Sequence, residues 1–153
     1  MVKNAVVSIV MGSKSDEGHL EPTLKILDEL GIPWEKRVLS ANRQPDELRA
    51  YVRETEGKGA RLFIAAAGLS AALPGVIASH TLKPVIGVPV PGGPLGGVDA
   101  LLSIVQMPGG IPVATVGLGS HGSKNAAVLA AEILALSDET VRERLRQYRE
   151  GLK

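Results

Sequence analysis

Serine and aspartate side chains follow the first apolar segment of the chain, in positions where they could hold an anionic ligand. In MGSKSDEG, at 11–18, Ser13 and Ser15 offer hydroxyl groups and Asp16 stands at the predicted start of a helix. Free backbone amides at a helix start can bind phosphate, although Ser and Asp there are also ordinary helix caps. The segment has neither GxGxxG nor Walker A spacing, so it indicates neither a dinucleotide nor ATP.

Two later segments carry further candidate binding groups. The first is Ser40, Ala41, Asn42 and Arg43, in which the Arg43 guanidinium could contact phosphate oxygens or remain a solvated surface group. The second is AAAGLSAALPG at 65–75, where small side chains would let a flat ligand approach the backbone or let helices pack closely. Polar or small loops after three consecutive strands together predict a shallow site for an anion and a ring.

The three histidines do not form a recognisable site. His19, His80 and His121 lack metal-ligand spacing, so no metal site is predicted. We expect His19 and His80 on helix surfaces and His121 in a loop, where it is the histidine most worth following. The chain has no G-x-S-x-G motif and no cysteine, which leaves little support for serine hydrolysis or thiol chemistry.

Strand and helix patterns alternate along the chain. Strands are predicted at 5–11, 34–39, 61–67, 84–88 and 112–116, and helices at 17–30, 45–56, 70–80, 98–106, 123–136 and 138–153. Apolar strands separated by helices indicate a parallel sheet covered on both faces. We therefore predict an α/β protein with a flavodoxin-like three-layer α/β/α sandwich and a five-stranded parallel sheet.

Composition restricts the classes of partner. The chain has 153 residues, 44% of them hydrophobic, and a formal net charge of +1, which favours one domain over 1–153 and disfavours nucleic acid and membranes as partners. The N-terminal segment lacks a signal-peptide pattern, so a cytoplasmic location is expected. The charged segment 138–153 carries Val141, Leu145, Tyr148 and Leu152 at helical spacing. We expect this C-terminal helix to pack on a surface such as that of a neighbouring subunit.

Six segments stand in one order along residues 4–137. They are MGSKSD at 11–16, SANRQPDEL at 40–48, AGLSAALPG at 67–75, PVIGVPV at 84–90, GGVDALLSIVQMPGGIPVATV at 96–116 and NAAVLAAEILAL at 125–136. Together they resemble the PurE family, and class I, the N5-carboxyaminoimidazole ribonucleotide mutases, more closely than class II, which carboxylates aminoimidazole ribonucleotide directly. The resemblance implies a homo-octamer with sites between subunits, a ribonucleotide ligand, and no metal or organic cofactor.

The resemblance also implies roles for the residues already singled out. Ser13 and Arg43 would hold the phosphate, and Asp16 would accept hydrogen bonds from the ribose hydroxyls. Ser15 and Ser40 would support the pocket. The backbone of Ala67, Gly68 and Leu69 would face the imidazole ring and its carboxylate.

Two positions depart from the family pattern. Asn42 stands where SAHR has its histidine, and Ala72 stands where AAHLPG has its histidine. A mutase must move a proton while carbon dioxide passes from a carbamate to carbon 4, and a carboxamide cannot exchange a proton near neutral pH. General acid–base assistance is worth about 10²–10⁴-fold, or about 3 to 5 kcal/mol of transition-state stabilisation. The sequence therefore predicts severely weakened mutase chemistry and no confident catalytic residue.

Three functions remain open from the sequence. The favoured one is a catalytically impaired relative that keeps a ribonucleotide pocket and acts as a partner, activator or stabiliser of another protein. The second is a working mutase of purine synthesis whose substitute acid is His121 or a neighbouring subunit's His80. The third is an enzyme on a related carboxylated or phosphorylated substrate that needs no proton transfer.

Overall fold

Five parallel strands form the centre of the computed structural model, which describes residues 4–153. The strands are β1 (Val7–Met11), β2 (Trp34–Val38), β3 (Leu62–Ala67), β4 (Val85–Pro89) and β5 (Ala114–Thr115). The helices are α1 (Glu17–Glu29), α2 (Pro45–Gly57), α3 (Leu73–Ala78), α4 (Val98–Val105), α5 (Gly119–Ala135) and α6 (Glu139–Glu150), and a 3₁₀ turn spans Lys14–Asp16. The strand order is β2-β1-β3-β4-β5, and every neighbouring pair is parallel. The predicted flavodoxin-like α/β sandwich is confirmed.

Two layers of helices cover the sheet. Alternate residues of β1 point to opposite faces, so that Ile9 joins a core formed with α1, α5 and α6, whereas Val10 joins a core formed with α2, α3 and α4. Every residue of β1, β3 and β4 is buried. This two-sided burial explains why these strands are near-continuous apolar runs in the sequence.

Local signals set the limits of α1 and α2. Pro45 occupies the first turn of α2, where its missing N–H costs no hydrogen bond. After α1, Gly31 adopts a φ of 64°, a left-handed conformation that glycine takes without penalty. Arg144 Nη1 of α6 donates to the Leu30 carbonyl oxygen at 3.0 Å, so the end of α1 is also anchored by tertiary structure.

Two predicted elements are shorter in the structure. The helix predicted at 70–80 is α3, and it spans only Leu73–Ala78. Leu69 takes a φ of 51°, outside the helical region, and its carbonyl oxygen accepts a hydrogen bond from Ala71 N at 2.8 Å. Residues 68–72 therefore form a turn before α3. The strand predicted at 112–116 is reduced to Ala114–Thr115, and Pro112 has no N–H to contribute to a ladder.

The helix predicted at 123–136 begins earlier in the structure, because α5 spans Gly119–Ala135 and includes the glycine-rich residues before 123. A Cβ at Gly122 would lie 1.9 Å from the Gly117 carbonyl oxygen, so only glycine lets this helix start pack against the end of β5. The placement of His121 in a loop is therefore wrong, and it lies in the first turn of α5. None of the helices in residues 4–153 has the length and apolar character needed to span a membrane.

The apolar face of α6 packs within the chain. Val141 and Leu145 are buried in the core that α6 shares with α1 and α5, and Tyr148 packs against it. The Asp138 carboxylate caps the helix by accepting from Val141 N at 3.1 Å. Leu152 stays 70% exposed. Contact of α6 with a neighbouring subunit stays a prediction.

Tight packing of α4 on β4 makes Gly87 sensitive to substitution. A Cβ at Gly87 would lie 2.4 Å from Ile104 Cγ2 and 3.1 Å from Val113 Cγ1. We expect Gly87→Ala to lower the free energy of unfolding by about 1–3 kcal/mol through overpacking. Urea denaturation measures this change.

Gly57→Ala is the matched control, because a Cβ at this position in α2 meets no atom within 4 Å. We expect this variant to be as stable as the parent or more stable by up to about 1 kcal/mol. Equal denaturation midpoints for the two variants would contradict the close approach of α4 to β4.

Candidate functional site

A cleft of about 1070 Å³ opens at the carboxyl ends of the first four strands. Its walls come from the segments that follow β1, β2, β3 and β4, at 12–19, 40–43, 67–73 and 90–99. In this strand order the connections diverge between β1 and β3, which is where open parallel sheets bind ligands. The cleft has the size of a small-molecule site.

The structure brings all the sequence-predicted site residues into this cleft. The lining includes Ser13, Ser15, Asp16, Ser40, Ala41, Asn42, Arg43, Ala67, Gly68 and Leu69. Ala72, the second position that departs from the family pattern, lines it as well. The contribution of each residue to ligand binding stays a prediction.

The segment after β1 is held by a reciprocal capping box. Ser13 Oγ accepts from Ser15 N at 3.3 Å, and Ser13 N donates to Asp16 Oδ2 at 3.1 Å. The two interpretations of these residues, helix caps or ligand-binding groups, are therefore compatible, because the capping residues also line the cleft. Capping fixes their positions before a ligand arrives.

Asp16 carries a charge in an unfavourable place. The residue is only 9% exposed. Desolvation by burial raises the pKa of its carboxyl group, while the hydrogen bond from Ser13 N and the charge of His19 act in the opposite direction. A buried carboxylate that costs folding energy is the kind of group that a ligand with hydroxyl donors would stabilise.

The segment after β2 positions Arg43. Ser40 Oγ accepts from Arg43 N at 3.2 Å and from Arg43 Nε at 3.4 Å. Ser40 N in turn donates to Gln44 Oε1 at 3.3 Å. Within residues 4–153 the Arg43 guanidinium forms no salt bridge. It is exposed at the cleft, where it can bind an anionic group of a ligand.

The segment after β3 brings backbone and mostly small side chains to the cleft. Leu69 is the one non-glycine residue of 4–153 with a positive φ, at 51°, and it is 58% exposed. Such a conformation costs of order 1 kcal/mol or more and is concentrated at functional sites. Val90 N donates to the Ala67 carbonyl oxygen at 3.0 Å, which holds the start of this segment close to the end of β4.

His19 is a cleft residue that the sequence analysis missed. It lies in α1, three residues after Asp16, and its side chain lines the cleft instead of a solvent-facing helix surface. The i, i+3 spacing from Asp16 was the available signal. His80 and His121 are absent from the cleft lining. Among residues 4–153, no three His, Asp or Glu side chains converge as metal ligands.

Asp99 is the second cleft residue that the sequence analysis missed. It lies in the first turn of α4, after the glycine-rich segment that follows β4. Its Oδ1 is buried without a hydrogen-bond partner within residues 4–153. The location of its segment after a strand was a usable signal, because ligands bind where strands end. An unsatisfied buried carboxylate oxygen is costly, and a donor on a ligand would satisfy it.

The comparison with known families decides what kind of protein this cleft belongs to. A family model described as AIR carboxylase matches residues 6–153. The chain belongs to the AIR carboxylase family. This membership confirms the PurE resemblance of the sequence, and it covers α6 as well as the six segments on which the resemblance rests.

Individual relatives of the AIR carboxylase family match nearly the whole chain. An N5-carboxyaminoimidazole ribonucleotide mutase of Pseudomonas aeruginosa is 51% identical over 95% of this chain and 90% of its own length. A mutase of Pyrococcus abyssi is 49% identical over 96% of this chain and 83% of its own. The crystal structure of Treponema denticola PurE superposes with a TM-score of 0.86 at 34% identity, covering 95% of this chain and 89% of that one.

The raised pKa of Asp16 predicts a stability effect with a definite sign. The folded protein binds this proton more readily than the unfolded chain, so wild-type stability falls as the pH rises above the ordinary pKa of 3.8. An asparagine side chain at this position would keep an oxygen for Ser13 N but carry no charge. We expect Asp16→Asn to raise the free energy of unfolding at pH 7 and to lose this advantage below pH 3.8.

Urea denaturation across this pH range measures the difference. Glu21→Gln on the exposed face of α1 is the control, since it removes a charge without relieving burial. An Asp16→Asn variant less stable than the wild type at pH 7 would refute the desolvation argument.

Proposed function

We propose that the chain is an N5-carboxyaminoimidazole ribonucleotide mutase of purine biosynthesis, acting in the cytoplasm, with the cleft at the strand ends as its substrate site. The observation that carries the proposal is identity of about half of all residues with mutases over nearly the full chain. The segments that line the cleft lie within the matched region. This differs from the interpretation that the sequence favours, which gives most weight to Asn42 and Ala72.

The polar groups of the cleft suit a ribonucleotide monophosphate. Arg43 and the hydroxyl group of Ser13 would bind the phosphate, since a guanidinium held by Ser40 is pre-positioned for charge-assisted hydrogen bonds. Asp16 uses Oδ2 for Ser13 N, which leaves Oδ1 for ribose hydroxyls. Ser15 and Ser40 would hold these groups in place.

The small residues after β3 suit the flat imidazole ring. Ala67, Gly68 and Leu69 would face the ring and its carboxylate with backbone groups, because Ala67 and Gly68 have little or no side chain to keep a ligand away from the main chain. The rearrangement moves a carboxylate from nitrogen to carbon within one molecule. It requires binding, exclusion of water and one proton transfer, all of which side chains can provide.

A turnover assay on protein made in a host without its own mutase tests the proposal. We expect conversion of N5-carboxyaminoimidazole ribonucleotide to the carbon-4 carboxylate, and calorimetric binding of aminoimidazole ribonucleotide with a weaker response to ribose 5-phosphate. Absence of turnover by protein that binds the ribonucleotide would refute the mutase assignment.

A second candidate function is a ribonucleotide-binding protein that does not turn over and acts on another protein as a partner, activator or stabiliser. Asn42 and Ala72 favour it, since both line the cleft and neither can exchange a proton. Under this alternative the scaffold and the phosphate-binding groups are intact and only the acid–base group is missing.

The double variant Asn42→His with Ala72→His distinguishes the two candidates. If the chain is impaired for lack of imidazoles, we expect this variant to raise turnover by about 100-fold or more. The single variants are the controls. An inactive wild type whose double variant is also inactive, yet still binds the ribonucleotide, would contradict the explanation by missing imidazoles.

The proposal extends to a one-domain homo-octamer in which a neighbouring subunit contacts α6 and completes the site. The outward face of α4 supports the assembly, because Val98, Leu102 and Val105 are 49–57% exposed while Ala100 and Ile104 face the core. A helix that is apolar on both faces is expected to be covered on both.

A further inference from the structure

The sequence identifies no side chain that could transfer the proton in the mutase reaction. The two positions where related loops carry imidazoles hold Asn42 and Ala72, and neither side chain titrates near neutral pH. If the chain is a mutase, as proposed above and as this inference requires, another group at the cleft must donate and accept the proton.

Four titratable side chains line the cleft: Asp16, His19, Arg43 and Asp99. An arginine stays protonated at any working pH and cannot serve as a base. Carboxyl groups ordinarily titrate near pH 4, and Asp16, whose pKa is raised by burial, is already engaged by Ser13 N and assigned to the ribose hydroxyls. An imidazole has an ordinary pKa of about 6.5 and can donate and accept within one cycle.

The position of His19 places an imidazole beside the ribonucleotide-binding groups. His19 lies in the first turn of α1 and shares a helix face with Asp16, three residues earlier. The two groups are close enough for the charge of His19 to lower the pKa of Asp16. His19 is partly buried and lines the cleft, so its ring can contact a ligand there.

The other histidines of the described chain do not share this position. His80 lies in the turn after α3, and His121 lies in the first turn of α5. Neither lines the cleft within one chain. They provide matched controls for a histidine whose role depends on its location.

We propose that the His19 imidazole is the proton-transfer group of the rearrangement. The carbamate N–C bond breaks, carbon dioxide leaves, and the ring-bound nitrogen takes a proton from the His19 imidazolium. Carbon 4 then attacks the carbon dioxide to form the C–C bond, and the neutral imidazole removes the proton from carbon 4. The imidazolium is regenerated, no atom is oxidised or reduced, and no further reactant is required.

Steady-state kinetics with calorimetry tests the assignment. We expect His19→Asn to lower kcat by about 100-fold or more while the Kd for aminoimidazole ribonucleotide changes by no more than about threefold. Added imidazole should partly restore turnover to His19→Ala and leave the wild type unchanged. His80→Asn and His121→Asn should keep wild-type kcat.

The outcomes separate this inference from the function on which it rests. An active wild type with an equally active His19→Asn variant would overturn the role of His19 and leave the mutase function standing. Loss of ribonucleotide binding in a folded His19→Asn variant, without rescue of His19→Ala by imidazole, would also overturn it in favour of a binding role. A wild type that binds ribonucleotide without turnover would overturn both.

Discussion

The register of β1 with its two neighbours is the constraint on which the cleft depends. Met11 at the end of β1 pairs with Val38 of β2 and with Ala66 of β3, so the three strands end at one level. Hydrogen bonds continue this alignment beyond the strands, from Gly12 N to the Ala66 carbonyl oxygen and from Leu39 N to that of Met11. Because the strands are parallel, the segments that follow them leave the sheet at the same edge. A slip of one residue would exchange the side chains that β1 presents to the two helix layers and would shift those segments relative to one another.

Departures from ideal structure are concentrated at this edge. Asp16 is a buried carboxyl group with a raised pKa, Leu69 has a left-handed backbone, and Asp99 has a buried oxygen without a partner in the described chain. Each lowers the stability of the fold, and all three line one cleft. By contrast, Ser8 is the one polar residue of β1, the strand beneath them. Its hydroxyl group forms a hydrogen bond with the Tyr51 hydroxyl group at 2.9 Å. Such costs persist where a ligand can offset them.

The structure changes which residues are candidates for acid–base chemistry in the cleft. From the sequence, Asn42 and Ala72 mean that two imidazoles are lost, and an impaired relative is the natural interpretation. The structure adds His19 to the same cleft, and the chain is about half identical to N5-carboxyaminoimidazole ribonucleotide mutases of Pseudomonas aeruginosa and Pyrococcus abyssi. The chemistry open to a cleft depends on every side chain that reaches it. A sequence motif identifies only those cleft side chains that are close to one another along the chain.

The sequence by itself determined the fold class, the alternation of strands and helices, and the ten predicted cleft residues. Those residues could be found because each lies at the carboxyl end of a strand or in the segment directly after it, and parallel strands bring these positions together whatever the details of packing. Tertiary structure decided the positions of His19 and Asp99, which depend on how α1 and α4 lie against the sheet. It also decided the start of α5 at Gly119, which rests on the approach of Gly122 to Gly117. Some contacts join segments that are distant in sequence, and others join backbones that only glycine allows to meet. Neither kind leaves a periodic pattern in the sequence, so only the folded structure reveals them.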